Sequence, residues 1–216
     1  MPRKTKEEAE KTRARILASA LSLFVKKGYE HTTFTDIAAR LEMTKGAVYW
    51  HFGSKEVLLV ALVNEMLEKF RRQLKEHGPL DELTFPTLAE TMVARAERLV
   101  EDPKGAAFFL LLQTQVKWAA DSMAKTRAQL LSQDTNGPYH YFIRAVENDK
   151  SGGRVRADVD PVSVAAVCMA IWSGLVRSKI EKFLECDLKT ALQKAFDGLW
   201  QSIKTPETRG PEINKR

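Results

Sequence analysis

Nine consecutive residues, Thr44-Lys45-Gly46-Ala47-Val48-Tyr49-Trp50-His51-Phe52, hold the most chemically suggestive side chains of this 216-residue chain. Val48 and Phe52 are four apart, so on a helix they share one face and predict an anchor on a core. Lys45, Tyr49 and Trp50 then project in other directions. A cation and aromatics on an outward helix face suit phosphates and base edges, and a major groove about 12 Å wide admits one helix. Gly46 costs about 1 kcal/mol in a helix, but with no side chain it allows close approach to a neighbouring backbone. Trp50 fits packing beneath the helix as well as lining its outer face, and His51 fits a structural histidine as well as a group near nucleic acid. Catalysis has no comparable signal. The chain lacks His/Glu metal spacing, a Gly-rich phosphate loop and a nucleophile elbow, so no enzyme, metal or cofactor is expected. Cys168 and Cys186 have no metal-ligand spacing and read as reduced thiols, with redox sensing a minor alternative.

The elements that must position this segment follow from local signals. Apolar positions recur at three- and four-residue spacing and strand alternation is missing, so the chain is expected to be all-α. A first helix is predicted from Glu7 to Lys27, with Ile16, Leu17, Ala20, Leu21 and Phe24 on one face and Gly28 ending it in a left-handed cap. Thr33 with Asp36 three residues on is a capping box opening a short helix that buries Ile37, Ala38 and Leu41. Glu42-Met43 makes the turn, Thr44 caps the nine-residue segment, and Gly53-Ser54 breaks the chain. Ser54 then caps a long helix carrying Leu58, Leu59, Leu62, Val63, Met66 and Phe70 as far as Gly78-Pro79. Further helices are predicted at 84–101, 104–117, 119–149, 161–184 and 187–204, about nine in all, with Pro138 kinking or splitting the third of these. Lys150-Ser151-Gly152-Gly153 reads as a flexible loop.

Charge is placed unevenly. Residues 1–55 hold eleven Lys or Arg against six Asp or Glu, whereas the rest of the chain holds 23 against 22. One end is therefore suited to a polyanion, although a solvated charged face gives the same count. No stretch approaches the roughly 18 consecutive apolar residues of a membrane span, and the basic N-terminus has no apolar core behind it. A cytoplasmic protein without a membrane partner is expected.

The layout of two short helices set against a longer one resembles a helix-turn-helix, and the residues filling it resemble the TetR family of bacterial regulators. The likeness runs over residues 10–66: Thr12-Arg13-Ala14-Arg15-Ile16-Leu17, Gly28-Tyr29 before Thr32-Thr33, Asp36-Ile37-Ala38, the nine-residue segment, and Lys55-Glu56. With the lead-in Arg3-Lys4-Thr5-Lys6-Glu7-Glu8-Ala9 it is similar to AcrR-type repressors of multidrug efflux pumps. The resemblance implies a DNA-binding set of Thr33, Thr44, Lys45, Gly46, Tyr49, Trp50, His51 and Lys55. In it Thr33 bonds a phosphate at a helix N-terminus, Tyr49 and His51 reach phosphate or base edges, and Lys55 grips a phosphate. Arg3, Lys4 and Lys6 read as a basic tail or as an arm reaching the minor groove. Glu42 departs from the family, which has Gly in this turn, and a left-handed Glu would cost about 1 kcal/mol.

Domain boundaries are expected at 1–54 for the helix-turn-helix, 55–205 for a ligand-binding and dimerisation domain with a connecting helix at 55–77, and 206–216 for a polar tail. In the second half Phe108, Leu112, Gln113, Trp118, Phe142 and Trp172 combine apolar walls with polar groups, which describes a ligand pocket and equally a core. Val164, Val167, Cys168, Ile171 and Leu175, then Leu192, Ala195, Phe196, Leu199 and Ile203, form stripes on the last two helices; the resemblance implies a four-helix homodimer interface there. The expected function is a repressor that binds a palindromic double-stranded operator as a dimer and is released by a small hydrophobic or amphipathic inducer. A regulator of this fold that activates, or that takes no small molecule, is the alternative. An architectural protein coating DNA without sequence preference would need basic residues over the whole body, which the second half lacks.

Overall fold

The computed structural model describes residues 6–75, 78–133 and 137–206. Arg3 and Lys4, the end of the predicted connecting helix at 76–77, Asn136 of the predicted kink and nearly all of the polar tail lie outside them. The described chain is all-α. Its helices are α1 (Lys6–Lys27), α2 (Phe34–Arg40), α3 (Lys45–Phe52), α4 (Lys55–Lys75), α5 (Phe85–Glu101), α6 (Pro103–Thr114), α7 (Ala124–Gln133), α8 (Pro138–Ser151), α9 (Pro161–Ile180) and α10 (Leu188–Ile203). The segment expected to be one helix over 119–149 is two. Pro138 stands at the first position of α8, where its missing N–H costs nothing. Lys150 and Ser151, expected in a loop, complete α8; the turn begins at Gly152.

Helix ends follow capping chemistry. Gly28 ends α1 with φ 87° and donates to the Phe24 carbonyl at 2.9 Å. Glu42 takes the left-handed position after α2 (φ 55°), where Met43 N reaches the Ala38 carbonyl and Glu42 N the Ala39 carbonyl. This double bond pattern is the Schellman motif, so the turn keeps its shape without glycine. Lys182 repeats the device (φ 63°), with Phe183 N on the Ser178 carbonyl at 2.8 Å. It stops α9 at Ile180, short of the expected 184. Lysine there gives no sequence signal for a stop, because glycine is the usual occupant.

Two apolar cores result. One joins Ile16 and Phe24 of α1, Ile37 of α2, Val48 and Phe52 of α3 and Leu58 and Leu62 of α4, and is completed by Phe108, Leu111, Val116 and Met123. The other gathers Phe70, Phe85, Met92, Phe142, Trp172 and Phe196. Fully buried Asp149 ties the second together: one carboxylate oxygen accepts Phe85 N and the other Arg154 Nε, each at 2.7 Å. Helix α9 is long and apolar enough, by length and composition, to cross a membrane. Here α8 and α10 pack on it and Cys168, Trp172 and Val176 are buried, so it serves as a core helix. Burial raises the Cys168 thiol to about 12, leaving no thiolate at neutral pH.

Candidate nucleic-acid interface

Helix α3 is built outward from its two anchors. Val48 and Phe52 are buried, and Arg13 of α1 places its guanidinium 5.1 Å from the Phe52 ring centre. The opposite face carries exposed Lys45, Tyr49 (56% exposed) and Trp50 (76% exposed). Tyr49 meets Phe34 edge-on at 5.5 Å, which fixes its direction while leaving the phenol outside. Of the two readings open for Trp50, the structure adopts the outer one; its indole stands edge-on to half-buried His51 at 4.7 Å. A Cβ on Gly46 would meet nothing nearer than the Thr44 hydroxyl at 3.9 Å. The fold itself therefore tolerates a side chain there, and the cost of glycine in a helix is not repaid inside the chain.

The two caps are differently disposed. Thr44 accepts from Ala47 N at 3.2 Å and its own hydroxyl proton is free to point outward. Thr33 forms a closed capping box: its N and hydroxyl both donate to Asp36 Oδ2 (2.8 and 2.7 Å), and it accepts from Asp36 N at 3.2 Å. Lys27 Nζ closes the set at 2.6 Å from Asp36 Oδ1. Lys27 and then Thr33 hold the Asp36 carboxyl well below the usual range. The Thr33 hydroxyl is thus spent on the fold. Exposed Thr35, one residue into α2, has its hydroxyl available on the same side, and sequence reasoning passed over it because it caps nothing. Lys55 also works internally: Nζ donates to the Tyr29 carbonyl (2.9 Å) and the Glu30 carbonyl (3.2 Å) and sits 4.5 Å from the Tyr29 ring centre. Thr33, Thr35, Lys45, Tyr49 and Lys55 surround an open concavity of about 470 Å³, where one ammonium proton of Lys55 remains to be shared.

The six residues expected to line a ligand pocket are not brought together. Phe108, Leu112 and Trp118 pack on the N-terminal core, with the Trp118 indole N–H on the Leu112 carbonyl at 2.7 Å. Gln113 is exposed. Phe142 and Trp172 are buried in the other core, where Phe142 meets Phe85 and Phe196, and Trp172 Nε1 donates to the Met92 carbonyl at 2.8 Å. Phe108 lines a cavity at the junction of α1, α4, α5 and α6. The two helix stripes divide similarly. Val164, Cys168, Leu192, Phe196 and Ile203 are buried within the chain, whereas Val167 faces outward beside exposed Val162, Ala166, Ala170 and Gly174.

Residues 16–62, which span α1 to the middle of α4, match the model of bacterial regulatory proteins of the tetR family. The HTH-type transcriptional regulator TtgR of Pseudomonas putida is 29% identical over 82% of this chain and 84% of its own length. A probable acrEF/envCD operon repressor of Escherichia coli is 30% identical over 58% of this chain and 57% of its own. A structure of SmeT with triclosan superposes with a TM-score of 0.72 and 25% identity, covering 95% of this chain and 97% of that one; SmeT is the repressor of the Stenotrophomonas maltophilia efflux pump SmeDEF. The relatives are regulators of transcription rather than enzymes. With a tetR-family match over the helix-turn-helix at residues 16–62 and the all-α architecture of SmeT behind it, this chain is similar to the TetR family of bacterial regulatory proteins.

Proposed function

We propose that the protein is a ligand-released repressor, with residues 1–54 as its reading head and 55–205 as its sensing and dimerising body. The observation that carries the reading is α3 itself: Lys45, Tyr49 and Trp50 have their side chains outside the fold while Val48 and Phe52 hold the helix rigidly from behind. A short helix so mounted offers a cation and two polar-tipped aromatics to a major groove. One reading helix per chain calls for a second copy, and two-fold pairing matches a palindromic operator with half-sites about 34–36 Å apart, or a multiple of a turn. The outward face of α9, with Ala166, Val167, Ala170 and Gly174, is narrow and apolar and suits close packing against its own copy. Release by a small molecule is supported by the company the chain keeps, an operon repressor and a repressor held with triclosan.

The test joins two measurements. Sedimentation of the full chain at micromolar concentration should give a dimer, and selection from random duplexes should return an inverted repeat. Log affinity for it should fall with log salt with a slope on the order of −6, from roughly −0.9 per phosphate for three or four phosphates per subunit. A monomer, or selected sequences without two-fold symmetry, would overturn the reading.

A further inference from the structure

A cavity of about 360 Å³ opens where α1 meets α4, α5 and α6. Leu17 and Leu21 of α1 form one wall, and Leu99 of α5 and Phe108 of α6 face them. Its charges are unbalanced: Lys69, Arg95, Arg98 and Lys104 line it against Glu65 and Asp102.

Arg95 is the unusual member. Its guanidinium lies 4.7 Å from the Phe70 ring centre, and the side chain is half-buried. Burial, and then repulsion from Arg98, lower its pKa to about 10, so the group stays charged at neutral pH. No carboxylate among the described residues answers that charge. Glu68 is paired with Arg71 at 2.6 Å and Glu97 with Lys189 at 3.6 Å. Asp102 accepts Lys104 N at 3.1 Å as the cap of α6, and Glu65 stands exposed on α4. A partly desolvated cation with its ring contact but no counter-ion carries a cost, and an anion that enters beside it recovers part of that cost. A guanidinium fork accepts a carboxylate in two parallel bonds.

We propose that this cavity binds a small amphipathic organic anion, its carboxylate on Arg95 and its hydrocarbon part between Leu17 of α1 and Leu99 and Phe108 of α5 and α6. The site stands on its own geometry; its effect on DNA rests on the repressor reading. One wall belongs to the head and the other to the body, so an occupant wedges them and shifts the angle at which α3 is held. Ligand and operator then oppose each other to the same extent in both directions.

Decanoate serves as probe, decanol as the same chain without charge, and acetate as the charge without the chain. Calorimetric titration of the full dimer should show decanoate binding about tenfold or more tightly than decanol, the range expected of a buried charged hydrogen bond, with acetate weaker still. Arg95→Met should erase the preference for the acid, and Ala18→Phe, which fills the cavity from α1, should remove both ligands. Since Ala18 is exposed on its helix and lines the cavity, that variant keeps the core intact. Decanoate affinity that is the same in wild type, Arg95→Met and Ala18→Phe would overturn the site. Affinity lost in both variants but unchanged by operator DNA would keep the site and defeat its coupling to repression.

Discussion

Tyr49 stands on an eight-residue helix held by two buried side chains, whereas Trp172 stands on a twenty-residue helix packed by α8 on one flank and α10 on the other. Both are large aromatics with a polar tip. The first keeps its hydroxyl outside the fold; the second has its N–H on the Met92 carbonyl. A short helix has room to bury only one face, so whatever is not an anchor must look outward. A long helix inside a bundle has no such rule, and its aromatics fill space and satisfy their donors at home. The same contrast separates two lysines. Lys45 is left to solvent, while Lys55, only ten residues on, is drawn inward by two carbonyls.

That contrast breaks most visibly at Trp172. Truncation to Ala is expected to cost about 3–5 kcal/mol, the range for removing a large buried aromatic, measured by urea unfolding. A loss below about 1 kcal/mol would return Trp172 to the list of pocket residues. Tyr49→Ala should act in the opposite way, weakening operator binding by about 1–3 kcal/mol in fluorescence anisotropy while the melting temperature hardly moves. Unfolding in place of weakened binding would mean that the edge contact with Phe34, and not DNA, explains the tyrosine.

Lys55 lies between the two classes. Lys55→Ala removes both carbonyl contacts and is expected to cost about 1–2 kcal/mol of stability, with a salt slope shallower by about 1–2 units per dimer from its remaining proton. An unchanged slope would assign the residue wholly to the fold. The smallest effect concerns pH. Asp36 has its folded pKa depressed by Lys27 and Thr33, so its contribution is fully present above the unfolded value near about 4 and is lost as pH falls through the lower folded value. Asp36→Asn should therefore lower stability at neutral pH, where the ionised carboxylate contributes, and leave it little changed at the acid end, which flattens the acid side of the curve. An acid limb identical in the variant would show that the capping box carries none of it.

Much of the N-terminal part was legible because its signals are local. The Thr33 and Asp36 box, the Gly28 cap, the Glu42 turn and the Val48 and Phe52 anchors each depend on residues three or four apart. The stop of α9 at Lys182 escaped notice, since a left-handed lysine has no compositional mark. Thr35 was missed because a free hydroxyl is defined by the bonds it does not make. The pocket residues dispersed for a different reason: an apolar wall and an apolar core have the same composition.

The sequence by itself determined most of the helices, their caps and the direction in which α3 presents Lys45 and Tyr49, because hydrogen bonds and side-chain periodicity within one helix settle these matters over a few residues. Only the tertiary structure decided that Trp50 stands outward, that Phe108, Leu111 and Val116 complete the core of α1–α4, that Asp149 joins Phe85 to Arg154, and that half-buried Arg95 has no ion-pair partner among the described residues. Each of these depends on which distant helix supplies the neighbour, and burial and charge pairing are properties of that neighbourhood rather than of the residue.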